Sequence, residues 1–97
     1  MPSVVTVRFL ANVEILVGKK SVMLSLDDSK KQRVKDVIAE VTRLESKDLK
    51  SMVMDREGRS RCTVRIVLNG KLLLQDPLEA EVNDGDTVMI FPLIAGG

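Results

Sequence analysis

The chain has no histidine, tryptophan or tyrosine, and only one cysteine and two phenylalanines among 97 residues. Each shortage closes a class of function. Without histidine, and with a single thiol, a zinc site of the usual Cys/His kind cannot be assembled. Ser-His-Asp and Cys-His nucleophilic sets fall for the same reason. One cysteine forms no internal disulfide, which fits a reducing compartment. Cys62 heads an apolar segment and reads as a small structural residue, although Arg59 and Arg61 stand near it in sequence, as a reactive thiol would need. Phe9 and Phe91 are too few for a base-stacking platform, and a net charge of +1 leaves no electrostatic footprint for nucleic acid. No apolar run approaches the ~18 residues of a membrane span. The opening Met1-Pro2-Ser3-Val4 lacks the basic-then-apolar order of a secretory leader, so a cytoplasmic protein is expected.

What is present is an ordinary globular composition, 44% hydrophobic and 30% charged. A chain of this length makes one domain, burying roughly 60–65% of its unfolded surface. Carboxylates are plentiful, yet no pair is spaced for acid/base work. The segment Asp55-Arg56-Glu57-Gly58-Arg59-Ser60-Arg61 mixes both signs and reads as a solvated loop. Neither a catalytic set nor a metal-binding set is expected.

Apolar periodicity orders the elements. Val4 to Leu10 alternates, with Val5, Val7 and Phe9 on one face and Thr6, Arg8 and Leu10 on the other. Residues 12–20 read as a connection closed by a turn at Gly18-Lys19-Lys20. Val22 to Leu26 reads as a second strand with Val22, Leu24 and Leu26 inward, paired antiparallel with the first. Asp27-Asp28-Ser29 offers cap oxygens for an amphipathic helix of about four turns, whose inner stripe is Val34, Val37, Ile38, Val41 and Leu44. Leu49, Met52 and Val53 suggest a short helical turn. Thr63 to Leu68 forms a strand, Asn69-Gly70 a hairpin turn, and Leu72-Leu73-Leu74 a short strand broken at Asp76-Pro77. After a turn at Asn83-Asp84-Gly85-Asp86, Thr87 to Phe91 forms the last strand, with Val88 and Ile90 inward and Met89 and Phe91 outward. One main helix on one face of a mixed sheet of about four to five strands gives a two-layer α+β sandwich. If the first and last strands are neighbours, they run parallel.

Gly96-Gly97 ends the sequence. Two residues without Cβ let a backbone enter a channel too narrow for other side chains, so such an end suits a carboxylate handed into another enzyme's active site. The plainer readings are a frayed polar tail or a cloning remnant. Residues 1–92 are expected to form the domain and 93–97 a flexible tail, which could reach at most roughly 20 Å from the sheet.

The stretch Val64-Arg65-Ile66-Val67-Leu68-Asn69-Gly70-Lys71, followed by Val82 to Gly97 with its Phe91-Pro92 and closing Gly96-Gly97, resembles the C-terminal half of the ubiquitin-like β-grasp sulfur carriers and modifiers. Most similar are the molybdopterin synthase small subunit and the small archaeal modifier proteins, and Val7-Arg8-Phe9-Leu10-Ala11-Asn12 extends the resemblance over nearly the whole chain. One departure is Pro92-Leu93 where the family often has Pro-Pro, which fixes one φ fewer. The resemblance implies a ubiquitin-activating-type enzyme that uses ATP to adenylate the Gly97 carboxylate, with no cofactor held by the chain itself. Sulfur would then give a thiocarboxylate, and a lysine amine of a target protein an isopeptide bond. The implied partners are that enzyme, together with target proteins or a molybdopterin synthase large subunit, and neither nucleic acid nor membrane. Under the same fold, Leu10, Val67, Leu72, Met89, Phe91 and Pro92 would make an apolar docking surface beside the tail. The rival is that residues 51–61 fold over that face, or that Val67 and Leu72 belong partly to the core. At the level of function, the rival is a β-grasp interaction module whose tail is never activated.

Overall fold

A computed structural model describes residues 3–27, 29–61 and 63–92. Strand β1 (Ser3–Phe9) buries Val5, Val7 and Phe9 and pairs antiparallel with β2 (Ser21–Leu26), from Ser3 opposite Leu26 to Arg8 opposite Ser21. The final strand β7 (Thr87–Pro92) lies between β1 and β4 (Val64–Leu68). It runs parallel to β1, as expected of neighbouring first and last strands, and antiparallel to β4. Strand β5 (Lys71–Leu72) completes a five-stranded sheet in the order β2-β1-β7-β4-β5. The Asn69-Gly70 turn takes positive φ at both residues, 51° and 84°, as a two-residue hairpin demands.

Helix α2 (Val34–Leu44) packs its apolar stripe on one face of this sheet, with Val34, Val37, Ile38 and Val41 fully enclosed. The core is almost wholly aliphatic, Phe9 being its one aromatic side chain. Helix α3 (Leu49–Val53) packs against α2, and its Leu49 and Val53 are fully buried. This is the short helical turn expected there.

Four details depart from the expected pattern. Residues expected to be an irregular connection form helix α1 (Ala11–Val17), which buries Val13 and Val17. Gly18, at φ 84°, closes it by donating its N–H to the Glu14 carbonyl at 2.8 Å. The main helix also starts later than Asp27-Asp28-Ser29, and Asp28 lies outside the described residues. Asp27 instead accepts the Ser29 amide and hydroxyl at 2.9 and 2.7 Å, an Asx-type turn. The Ser29 hydroxyl foremost, then its amide, hold the Asp27 carboxyl below its ordinary pKa. Gln32–Arg33 (β3) then pairs with Glu81–Val82 (β6), and only after Arg33 does the helix begin. Asp36 accepts the Arg33 amide at 2.8 Å, a carboxylate at the first turn where free N–H groups favour it.

The other two departures are of extent. Leu44 ends the apolar stripe in sequence but is 53% exposed, because the helix stops there and Leu49 is the leucine that joins the core. Of Leu72-Leu73-Leu74 only Leu72 lies in a strand; Leu73 packs on the core and Leu74 is 75% exposed. The 3-10 turn Pro77–Glu79 follows at once and buries Leu78. Beyond these four, residues 55–61 are also more ordered than a solvated loop. Met54 bridges Ser60, and Asp55 accepts the Glu57 and Arg59 amides at 2.9 and 3.0 Å. Cys62 lies outside the described residues.

Candidate functional site

Strand β7 carries the chain from the middle of the sheet toward the glycines. Its start is held on both sides. The Asn69 side chain accepts the Thr87 amide at 2.8 Å and donates to Asp86 at the same distance, while the Asn69 amide donates to the Thr87 carbonyl. On the other side Thr6 donates to the Asp86 carbonyl, and Asp84 accepts the Val4 amide at 2.7 Å. Asp86 also accepts the Asn83 amide, closing the turn. The Asn83–Asp86 bond is local, of the kind that fixes turns, and the others tie that turn to β1 and to the Asn69-Gly70 hairpin.

The end of β7 is held differently. The last bond from the β1 side is Leu10 N–H to the Ile90 carbonyl at 3.2 Å, after which the chain turns away at Ala11 into α1. Phe91 and Pro92 are paired on one side only, opposite Arg65 and Val64 of β4. Residues 93–97, including the expected tail and the activation residues Gly96 and Gly97, lie outside the described residues.

Register brings together five of the six expected docking residues; Pro92 instead has the phase of Val88 and Ile90 and lies opposite buried Val64. Leu72 lies opposite Val67, Val67 opposite Met89, and Met89 beside Arg8, so one row crosses β5, β4, β7 and β1. The next row holds Arg65 and Phe91, with Leu10 one residue past the Phe9–Ile90 pair. All of these alternate with core residues, so they share the face turned away from α2. Leu10 and Leu72 are exposed at 39% and 43%, whereas Val67, Met89, Phe91 and Pro92 are half-buried. Val67 is half-buried between Leu72 and Met89, yet neither it nor Leu72 is among the side chains packed on the core, so that part of the burial rival does not hold. Nor does the other part, in which residues 51–61 fold over this face, since α3 packs against α2 and α1 on the core side.

Sequence reasoning passed over Met23, which lies opposite Thr6 on the same open face and is 72% exposed. Its signal was the β2 alternation itself, in which an apolar side chain stands on the outward phase between Val22 and Leu24. Arg8 and Arg65 give this face its positive charge, one beside Met89 and the other opposite Phe91. The result is a shallow apolar surface edged by two guanidinium groups. Among the described residues no helix is long and apolar enough to cross a membrane.

Known proteins resemble this chain in sequence and in fold. A small archaeal modifier protein 3 from Haloferax volcanii is 31% identical over 91 residues, covering 93% of this chain and 95% of the relative. A protein of Archaeoglobus fulgidus that bears the name sulfur carrier protein is 35% identical over 71 residues, 72% of this chain and 80% of the relative. Among solved structures, SAMP1 from Haloferax volcanii superposes with a TM-score of 0.81, covering 98% of this chain and all of that one; at 20% identity it shows the shared ubiquitin-like β-grasp fold. The profile of the ThiS family matches residues 7–97, from the middle of β1 through both terminal glycines, and the chain belongs to that family of small ubiquitin-like sulfur carriers and modifiers.

Proposed function

We propose that this protein is a carrier whose Gly97 carboxylate is adenylated by a ubiquitin-activating-type enzyme and then transferred. The observation that carries the reading is the family match, which runs through Gly96 and Gly97. A free carboxylate is a poor acyl donor, because its charge repels nucleophiles and oxide is a poor leaving group. Attack of the carboxylate on the α-phosphorus of ATP releases pyrophosphate and leaves an acyl-adenylate, from which AMP departs readily. A sulfur nucleophile then gives a thiocarboxylate, and a lysine amine an isopeptide bond. Both outcomes need the same end and the same activation, and the relatives' names include both a carrier and a modifier.

In this reading the chain is a co-substrate. Gly97 bears the reacting carbon and Gly96 allows close approach of the partner's walls. Phe91, Met89 and Leu10 are the docking centre, with Val67 and Leu72 around it. Docking energy gathered there lets the enzyme position a chain end that has no side chain of its own to grip.

The test is ATP-dependent pyrophosphate exchange by the adenylating enzyme of the same cells. Exchange is expected with the intact chain, at a higher half-saturating concentration with Phe91→Ala, and absent on deletion of Gly97. Undiminished exchange after that deletion, or none with the intact chain, would favour an interaction module whose tail is not activated.

A further inference from the structure

On the helical side of the molecule, α3 and the turn after it border a cleft of about 410 Å³. Four cations line it: Lys47 from the α2–α3 connection, Lys50 from α3, Arg56 from the following turn, and Arg61 just before β4. Asp55 is the one carboxylate in the lining, so the cleft has an excess of three positive charges in a chain whose formal net charge is +1. The remainder of the protein is therefore net negative.

Of the eleven cations elsewhere, six are ion-paired among the described residues. Lys19 meets Glu45, Lys31 meets Glu81, Arg33 and Lys35 share Glu79, Arg43 meets Glu40 and Arg59 meets Glu57. Lys47, Lys50 and Arg56 have no ion-pair partner among the described residues. Arg61 is anchored by its Nε, which donates to the Ser51 carbonyl at 2.7 Å and steadies the guanidinium at the cleft wall. The Asp55 carboxylate is already committed to the turn, where the Arg59 amide above all, and then the Glu57 amide, hold its pKa below the ordinary value. The hydroxyl protons of Thr42 and Ser51 go to the Ile38 and Asp48 carbonyls, at 2.7 and 3.0 Å, leaving the cations as the free donors. Asp48 borders the neighbouring concavity, which shares Ser51 and Arg61.

We propose that this cleft binds a small oligophosphate, with Lys47, Lys50, Arg56 and Arg61 as its cationic wall. Guanidinium forks fit tetrahedral oxyanions in two-point contacts, and lysines add charge that adapts to the second and third phosphate groups. The cleft lies on the helical side, away from Leu10, Val67, Met89 and Phe91, so the ligand and a partner on the open sheet face can be held together. The inference does not depend on activation of the tail.

The probe is inorganic tripolyphosphate, titrated calorimetrically into the full chain, with amide shifts mapping where it sits. Saturable one-to-one binding is expected, with shifts confined to residues 47–61. Lys50→Gln with Arg56→Gln should weaken it at least about tenfold, the scale of one charge-assisted contact. Lys20→Gln with Lys71→Gln removes the same charge elsewhere and should change affinity less than about twofold. Absence of saturable binding, or equal losses in the two double variants, would overturn the proposal. A hexaglutamate peptide that binds the same residues as tightly as tripolyphosphate would overturn the phosphate assignment.

Discussion

Met89 and Ile90 are consecutive residues of one strand, similar in size and both apolar, but they belong to different surfaces. Ile90 is fully enclosed in the core and stands between Phe9 of β1 and Ile66 of β4. Met89 faces the other way and is half-buried, between Val67 and Arg8 in a row that no helix covers. The covered face is aliphatic almost throughout. The open face mixes Leu10, Leu72, Phe91 and Met23 with Thr6, Arg8 and Arg65. Composition alone makes these two faces look like one hydrophobic population, whereas the pleat assigns one set to holding the fold and leaves the other available to a partner.

Substitution at the covered face should have the largest effect. Ile90→Ala leaves a cavity in the core between β1 and β4, and we expect a loss of about 2–5 kcal/mol in stability, read from the midpoint of urea unfolding. A loss under about 1 kcal/mol would mean that the two faces are not energetically distinct. Phe91→Ala, one residue on, should lower stability by no more than about 1 kcal/mol. The same change should weaken affinity for the adenylating enzyme by about 1–2 kcal/mol, measured by titration. An unaltered affinity would strip the open face of its docking role.

Gly70→Ala sharpens the comparison at the sheet edge that brings Leu72 beside Val67. Nothing lies within 4 Å of an added Cβ, so its effect comes from φ +84° alone. About 1–2 kcal/mol of destabilisation is expected, with Leu72 and Val67 amide signals shifting most. The smallest effect belongs to Asp55 on the helical side. Its folded carboxyl titrates lower than in the unfolded chain, so it stabilises the 55–61 turn above the ordinary aspartate range, and that contribution disappears as pH falls through the depressed value. A carboxyl-carbon NMR titration should place its midpoint below that of an unstructured aspartate; a midpoint at or above it would remove the turn's claim on the carboxylate.

The sheet was legible because its strands announce themselves twice, in alternation and in the turns between them. Val5-x-Val7-x-Phe9 and Val88-x-Ile90 fix inner and outer phases with no ambiguity, and Asn69-Gly70 requires the hairpin that is found. Helix α1 escaped notice for a physical reason. It is seven residues long, and Leu10, at its cap position, makes no side-chain cap bond, so only Val13, Val17 and the closing Gly18 mark it. The start of α2 was misplaced because Asp27 and Ser29 have the chemistry of a helix cap and use it on each other. The pairing of Gln32–Arg33 with Glu81–Val82 joins residues some fifty apart and leaves no local trace. Of the candidate site, the outward phase of Val67, Met89 and Phe91 could be read directly from alternation. The basic cleft could not, since Lys47, Lys50, Arg56 and Arg61 come from separate segments that only the packing of α3 gathers.

The most direct measurement is the intact mass of the protein recovered from its own cells, together with a search for diglycine remnants on lysines of other proteins. An exchange of one terminal oxygen for sulfur on Gly97, or remnants that vanish when Gly97 is deleted, is the expected result. A chain end carrying only its native carboxylate, with no remnant elsewhere while the adenylating enzyme is active, would contradict the carrier reading.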